Sequence, residues 1–221
     1  MGTDDLFHKK KARKAESHRR EKAKRAPYER VLIVCEGIKT EPNYFIGLCR
    51  EWGLRPATVI IEDKKIGLDP KGLVAFAMQT FSKNKDFENV FCVFDKDKHA
   101  SYLAALDRIR STRLKGTKFH AITSVPCFEV WILLHFTYTT HASRAAGQDP
   151  DCERVIDALD QKGCFPGYEK GSKEIFDVLR DKIDTAIKNA GLLEEFHKTS
   201  GTDNPSTKVH QLVLYLKSLR R

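Results

Sequence analysis

The sequence lacks several features that identify large classes of proteins. No apolar run approaches the ~20 residues that a membrane-spanning helix needs, and the charged N-terminus does not resemble a signal peptide. The six cysteines occur without a Cys-x-x-Cys pair, and several lie inside apolar runs such as VLIVCEG and VFCVFDKD. We therefore expect reduced core cysteines, a cytoplasmic protein and no membrane partner.

The charge of the chain is strongly positive and unevenly distributed. The formal net charge is +9 over 221 residues, which fits a polyanionic partner such as DNA, RNA or a ribosome. Residues 1–30 hold eleven Lys or Arg against five Asp or Glu. We interpret residues 1–28 as a basic N-terminal tail, which either grips phosphates or only solubilises the protein.

Strand and helix patterns alternate after the tail and predict an α/β fold. Short β-branched runs predict strands at 31–35, 57–62, 89–94 and 118–124, and the segments between them predict helices at 40–52, 70–83 and 100–112. Strands joined by helices imply a parallel sheet, here of about four strands.

The second half of the chain predicts helices only. Residues 29–125 would form the α/β core and residues 126–221 a mostly helical cap, both within one domain at 29–221. Thr40 is the expected N-cap of the first helix, and Gly191 is the expected end of a long helix near the C-terminus.

Carboxylates follow two of the predicted strands. Glu36 comes directly after the first strand, and Asp95 and Asp97 follow the third. Because parallel strands place their C-terminal ends on one edge of the sheet, these side chains should converge where α/β proteins bind ligands. Mg²⁺ (or Mn²⁺) suits such a set of oxygen ligands. Each motif alone is also compatible with an ordinary polar turn.

Glu129 lies on an otherwise apolar helix after the fourth strand. It either faces the same edge or interacts only with the helix dipole. Lys39 and Thr40, at a helix start, could hold a phosphate. Weaker candidates for contacts to a nucleic-acid backbone are Tyr168, Lys170, Lys173 and Lys208. His135 and His141 could be metal ligands or proton carriers, but neither has a partner at a zinc-like spacing, so we expect core or surface roles for them. Trp131 is expected in the core.

Glu-Gly after the first strand and Asp-x-Asp after a later strand resemble the Toprim domain of topoisomerases, primases and small nucleases. More specifically, VLIVCEGIKTEPNYF, VFCVFDKDKH, PCFEVWILLHF, YEKGSK and NPSTKVHQLV resemble successive motifs of the RloB-like family. The resemblance covers residues 30–218. It implies a Toprim-like parallel sheet flanked by helices, with a C-terminal helical cap.

The resemblance also implies a function. RloB-like proteins are associated with restriction-modification and abortive-infection (AbiL-type) loci, commonly beside an ATPase gene. The implied activity is metal-dependent nucleic-acid cleavage in phage defence, with Glu36, Asp95 and Asp97 as metal-binding and catalytic residues. Two positions depart from the usual motifs: Ile38 replaces an acidic residue and Val125 an asparagine.

Two alternative functions stay open at this stage. The chain could be a non-catalytic nucleic-acid-binding or ATPase-binding subunit of such a system. It could also be a strand-rejoining enzyme, although no separate module supplies the tyrosine that topoisomerases need. A homodimer is compatible with either alternative.

Overall fold

The computed structural model describes residues 29–55, 59–63, 68–96, 99–140, 152–161 and 163–220, with no side-chain detail at 62 and 63. The basic tail and Asp97 therefore lie outside the described residues. None of the helices described in these ranges is long and apolar enough to cross a membrane.

Five strands form one mostly parallel sheet. Strands β1 (Val31–Cys35), β2 (Val59–Asp63), β3 (Asn89–Asp95) and β4 (Lys118–Val125) run parallel in the order β2-β1-β3-β4. A two-residue strand, β5 (Ser206–Thr207), pairs antiparallel with the end of β4. The α/β class and the mostly parallel sheet predicted from the sequence are confirmed.

The helices that connect the strands cover both faces of the sheet. Helix α1 (Thr40–Glu51) links β1 to β2, α2 (Pro70–Lys83) links β2 to β3, and α3 (Tyr102–Ser111) links β3 to β4. Helix α1 packs with one core cluster, and α2 and α3 pack with the other. The chain thus passes from β1 to β2 on one side of β1, and then crosses to β3 on the opposite side of β1. The crevice between β1 and β3 is a topological switch point.

The C-terminal helices pack on the face that carries α1. These helices are α4 (Glu129–Leu134), α5 (Cys152–Gln161), α6 (Ile175–Leu179), α7 (Ile183–Ser200) and α8 (Val209–Ser218), with a 3₁₀ turn at Arg180–Lys182. All five contribute buried side chains to the same cluster as α1. Because Trp131 on α4 is fully buried, it belongs to the core, as expected.

Three details of secondary structure differ from the sequence predictions. Helix α1 begins at Thr40, so Lys39 occupies the cap position, and the Thr40 hydroxyl accepts a hydrogen bond from Gly171 N instead. Helix α7 continues through Gly191 and ends at Ser200, followed by Gly201 as the C-cap with φ +67°. Residues 206–207 form β5 where the sequence predicts helix, because the end of β4 offers a partner there.

The prediction that all cysteines are reduced is wrong for one pair. Cys127 and Cys152 form a disulfide, with their Cα atoms 5.6 Å apart. Cys127 precedes α4 and Cys152 begins α5, so only tertiary packing brings them together. Cys49 and Cys92 are free and buried, and burial raises the pKa of each thiol to about 12.

Candidate metal centre

A pocket of about 310 Å³ opens at the switch point, at the C-terminal ends of β1 and β3. Four carboxylates from different parts of the chain line it: Glu36, Glu41, Asp95 and Glu129. Basic side chains lie at the same pocket: Lys39, His99 and Lys170. The site therefore combines a carboxylate cluster with basic side chains that can approach an anionic ligand.

Glu36 follows β1 and is held by two hydrogen bonds to the neighbouring strand β3. Its backbone N–H continues the sheet by donating to Val93 O at 2.9 Å. Its side-chain Oε2 accepts a hydrogen bond from Asp95 N at 2.9 Å. The other oxygen, Oε1, lies 3.1 Å from His99 Nε2. The glutamate is thus fixed in orientation beside the end of β3.

Asp95 ends β3, and its Oδ2 accepts a hydrogen bond from Phe128 N at 3.1 Å. Burial, followed by the charges of Glu41, Glu129 and Glu36, raises the pKa of the Asp95 carboxyl well above its usual value. A cation placed among these groups would reverse that effect, because it favours the ionised form.

Glu41 is a residue of the site that the sequence analysis missed. It lies in the first turn of α1, where an acidic residue is common because it favours a helix start. It is 7% exposed, and burial raises its pKa to about 7, with further contributions from Glu129 and Glu36. Backbone hydrogen bonds oppose this shift, including one from Gly37. A Cβ at Gly37 would overlap the Glu41 carboxylate in its present position, so glycine allows this close approach.

Glu129 faces the pocket and not solvent. It is 3% exposed, and its Oε1 accepts a hydrogen bond from the Tyr168 hydroxyl at 3.0 Å. Lys170 Nζ lies 3.4 Å from the same oxygen. Burial and the nearby Glu129 charge raise the pKa of Tyr168. Tyr168 and Lys170 therefore compensate the burial of the Glu129 carboxylate on an otherwise apolar helix. Both partners come from a distant part of the chain.

The basic candidates fall into two groups. Lys39 and Lys170 line the carboxylate pocket, whereas Lys208 lines a separate cleft on the far side of β4. The Thr40 hydroxyl is used to hold Gly171 at 2.9 Å. Lys173 is exposed.

The two histidines considered from the sequence do not extend the site. His135 is buried between Trp131 O, at 2.9 Å, and the Tyr44 hydroxyl, at 3.3 Å. Burial lowers the pKa of its imidazole to about 4, so it is a neutral core residue near physiological pH. His141 lies outside the described residues.

A second group of metal-binding residue types adjoins the pocket. Single donor atoms of Cys127, Glu129 and Cys152 all lie within 4.8 Å of one another. In the disulfide form the two sulfurs cannot act as thiolate ligands, so this group could hold an ion only after reduction. The neighbouring carboxylates, by contrast, offer the oxygen ligands that Mg²⁺ and Mn²⁺ prefer.

The family model described as RloB-like protein matches residues 31–216. The chain belongs to the RloB-like family. No curated protein and no solved structure matches it. Four segments that carry the RloB-like resemblance meet in the carboxylate pocket: VLIVCEGIKTEPNYF supplies Glu36 and Glu41, VFCVFDKDKH supplies Asp95, PCFEVWILLHF supplies Glu129 and YEKGSK supplies Lys170.

Proposed function

We propose that this RloB-like protein is a metal-dependent nuclease that hydrolyses phosphodiester bonds in DNA or RNA. The observation that carries the proposal is the convergence of Glu36 and Asp95, from the ends of adjacent strands, with Glu41 and Glu129 in one pocket. Four partly or fully buried carboxylates repel one another unless cations compensate their charge.

The residues present fit a hard divalent cation. Glu36 and Asp95 would hold Mg²⁺ or Mn²⁺, and Asp97, outside the described residues, completes the proposed ligand set. When bound, such an ion polarises a phosphoryl oxygen and lowers the pKa of a coordinated water. His99 Nε2 lies 3.1 Å from a Glu36 oxygen, and Lys170 Nζ lies 3.4 Å from a Glu129 oxygen.

The chain's own residues have separate duties in this proposal. Lys39 and Lys170 would bind the scissile phosphate at the rim of the pocket. Glu36 orients the site through its bond to Asp95 N and shares the metal or accepts a proton from water. Glu129, which accepts a hydrogen bond from the Tyr168 hydroxyl and pairs with Lys170, is a further catalytic candidate.

The biological setting is part of the same proposal. The family resemblance and the basic tail favour a cytoplasmic antiphage or abortive-infection system, with nucleic acid as substrate and an ATPase from the same locus as partner. One alternative function is binding without catalysis, because Lys208 lies in a basic cleft separate from the carboxylate pocket. In that alternative the protein binds nucleic acid or the ATPase without cleaving.

The test is a cleavage assay on plasmid DNA, single-stranded DNA and total tRNA with Mg²⁺, Mn²⁺ or EDTA, with and without the partner ATPase. The variants are Glu36→Gln and Asp95→Asn, with Glu51→Gln as a control because Glu51 is an exposed acid at the end of α1. We expect metal-dependent cutting by the wild type and the control only. Cutting that persists in both site variants, or no cutting of any substrate, would contradict the proposal.

A further inference from the structure

A second and larger cavity, of about 940 Å³, follows the outer side of β4. One wall is formed by the end of α3 and residues 112–117, and the other by Lys208 with Gln211 and Tyr215 of α8. Residues 118–122 of β4 form its floor. We call this cavity the β4 groove. It shares no lining residue with the carboxylate pocket.

The β4 groove has a strongly positive lining. Its charged lining residues are Arg110, Arg113, Lys115, Lys118 and Lys208, all of them exposed. No Asp or Glu lines it among the residues that the structure describes. Acids next to the lining include Asp107, which pairs with Arg110 at 3.6 Å, and Glu29, which accepts a hydrogen bond from the Tyr215 hydroxyl at 2.6 Å. The five cations outnumber these acids and so attract a polyanion, which releases its counterions on binding. The same charge disfavours the chain's own basic tail as the occupant.

Aromatic rings lie between these cations. His120 stacks on Phe91 with ring centroids 4.6 Å apart and planes 17° apart, and Tyr215 lies against the same phenylalanine at 5.0 Å. Asn89 holds both outer rings, because its side chain bonds His120 Nε2 and the Tyr215 hydroxyl, each at 2.9 Å. His120 and Tyr215 are partly exposed. They offer pre-oriented ring surfaces to a flat ligand.

The floor of the groove is the edge of a sheet. Strand β4 pairs with β3 along its length, but β5 covers it only at Ser124 and Val125. Within the described residues, no strand pairs with the outer side of 118–123. Thr123 O already accepts a hydrogen bond from Lys208 N at 2.8 Å, so the backbone groups of residues 118–122 are the ones that can meet the polar edges of a ligand lying along the groove.

We propose that the β4 groove binds a single-stranded segment of nucleic acid. Cations would hold its phosphates, and the rings of His120 and Tyr215 would stack with unpaired bases, as in other grooves that bind single strands. A duplex does not fit this chemistry, because its bases are already stacked on one another. The inference rests on the proposed function only in taking the bound strand to be part of the nuclease substrate.

The test measures binding without cleavage. Fluorescence anisotropy of labelled 12-nucleotide dT and U strands and of a 12-base-pair duplex is recorded with the full chain in EDTA over a range of NaCl. The groove variant is Arg113→Gln/Lys115→Gln. The matched control is Lys85→Gln/Lys188→Gln, which removes the same charge from exposed positions outside the groove.

We expect the groove variant to bind single strands about tenfold more weakly than the control and to lower the slope of log K against log salt by about 1.4. Duplex binding should be equal in both. A separate variant, His120→Leu, should weaken single-strand binding at least fivefold without changing the salt slope, since stacking is worth ~1–3 kcal/mol per base. Unchanged circular dichroism spectra verify that the variants are folded.

Equal single-strand affinity and slope in groove variant and control would overturn the inference. So would groove-dependent binding of a labelled poly-Glu peptide in place of the oligonucleotides, which would make the groove a site for an acidic protein segment. Because the assay contains no metal, the outcome is independent of the nuclease proposal. If single strands bind through the β4 groove but the protein cleaves no substrate, the binding inference is supported and the nuclease proposal is refuted.

Discussion

Replacing Glu41 by glutamine should stabilise the metal-free protein at alkaline pH. Glu41 is buried beside Glu129 and Glu36, and its pKa rises from 4.5 to about 7 in the folded protein. The folded state therefore holds this proton more tightly than the unfolded state. Stability is unaffected by this group below about pH 4.5, falls as pH rises towards 7, and is lowest above 7.

The size of the effect follows from the pKa difference. At about 1.4 kcal/mol per pKa unit, the ionised carboxylate costs at most about 3 kcal/mol above pH 7. Glutamine keeps the shape and removes the charge, but it weakens backbone hydrogen bonds that the carboxylate accepts, at about 1 kcal/mol. The net gain expected is about 2 kcal/mol, or ~4–8 °C in the unfolding midpoint.

The assay is urea unfolding at pH 8.5 and pH 4.5, with EDTA. Glu51→Gln is the matched control, since it removes the same charge from an exposed position on α1. Glu41→Gln should be more stable than wild type and control at pH 8.5, and this advantage should disappear at pH 4.5. When Mg²⁺ replaces EDTA, the stability difference between Glu41→Gln and wild type at pH 8.5 should become smaller, because the ion compensates the Glu41 charge in the wild type. A Glu41→Gln protein no more stable than wild type at pH 8.5 would refute the reasoning about the pocket.

Three further predictions test other features. Millimolar Mg²⁺ should raise the unfolding midpoint of the wild type but not of Asp95→Asn; equal shifts in thermal scans would place the ion elsewhere. Alkylation of the denatured, unreduced protein should modify four of the six cysteines, and mass spectrometry of six modified thiols would show that Cys127 and Cys152 are unpaired. Gly201→Ala should destabilise the protein by about 1 kcal/mol in the same urea assay, because φ is +67° there. Gly191→Ala should be neutral or stabilising in that assay, because Gly191 lies inside α7 with open space around it.

The sequence predicted most of the sheet because its signals are local. The continuous apolar runs of β1 and β3 and the proline at the start of α2 are readable without any tertiary knowledge, and the bounds of α2 were predicted without error. The sequence predictions were wrong where contacts with a distant part of the chain determine the secondary structure. β5 exists only because the end of β4 accepts it, and α7 continues past Gly191 because packing outweighs one weak helix former.

The same division holds for the carboxylate pocket. Glu36 and Asp95 could be named as neighbours because parallel strands align their C-terminal ends. Glu41 could not, since an acid in a first helical turn is ordinary until α1 is packed against the end of the sheet. The Tyr168 and Lys170 contacts of Glu129 join segments about forty residues apart. A local sequence pattern cannot predict contacts at that separation.

By itself, the sequence determined the α/β class, the order of strands and helices along the chain and the two carboxylates that end adjacent strands, because hydrophobic periodicity and strand direction are properties of short segments. Only the tertiary structure decided that Glu41 and Glu129 join them, that Cys127 meets Cys152, and that Lys208 belongs to a separate basic groove. Those placements depend on the burial of side chains far apart in the chain, which is a property of the packed whole.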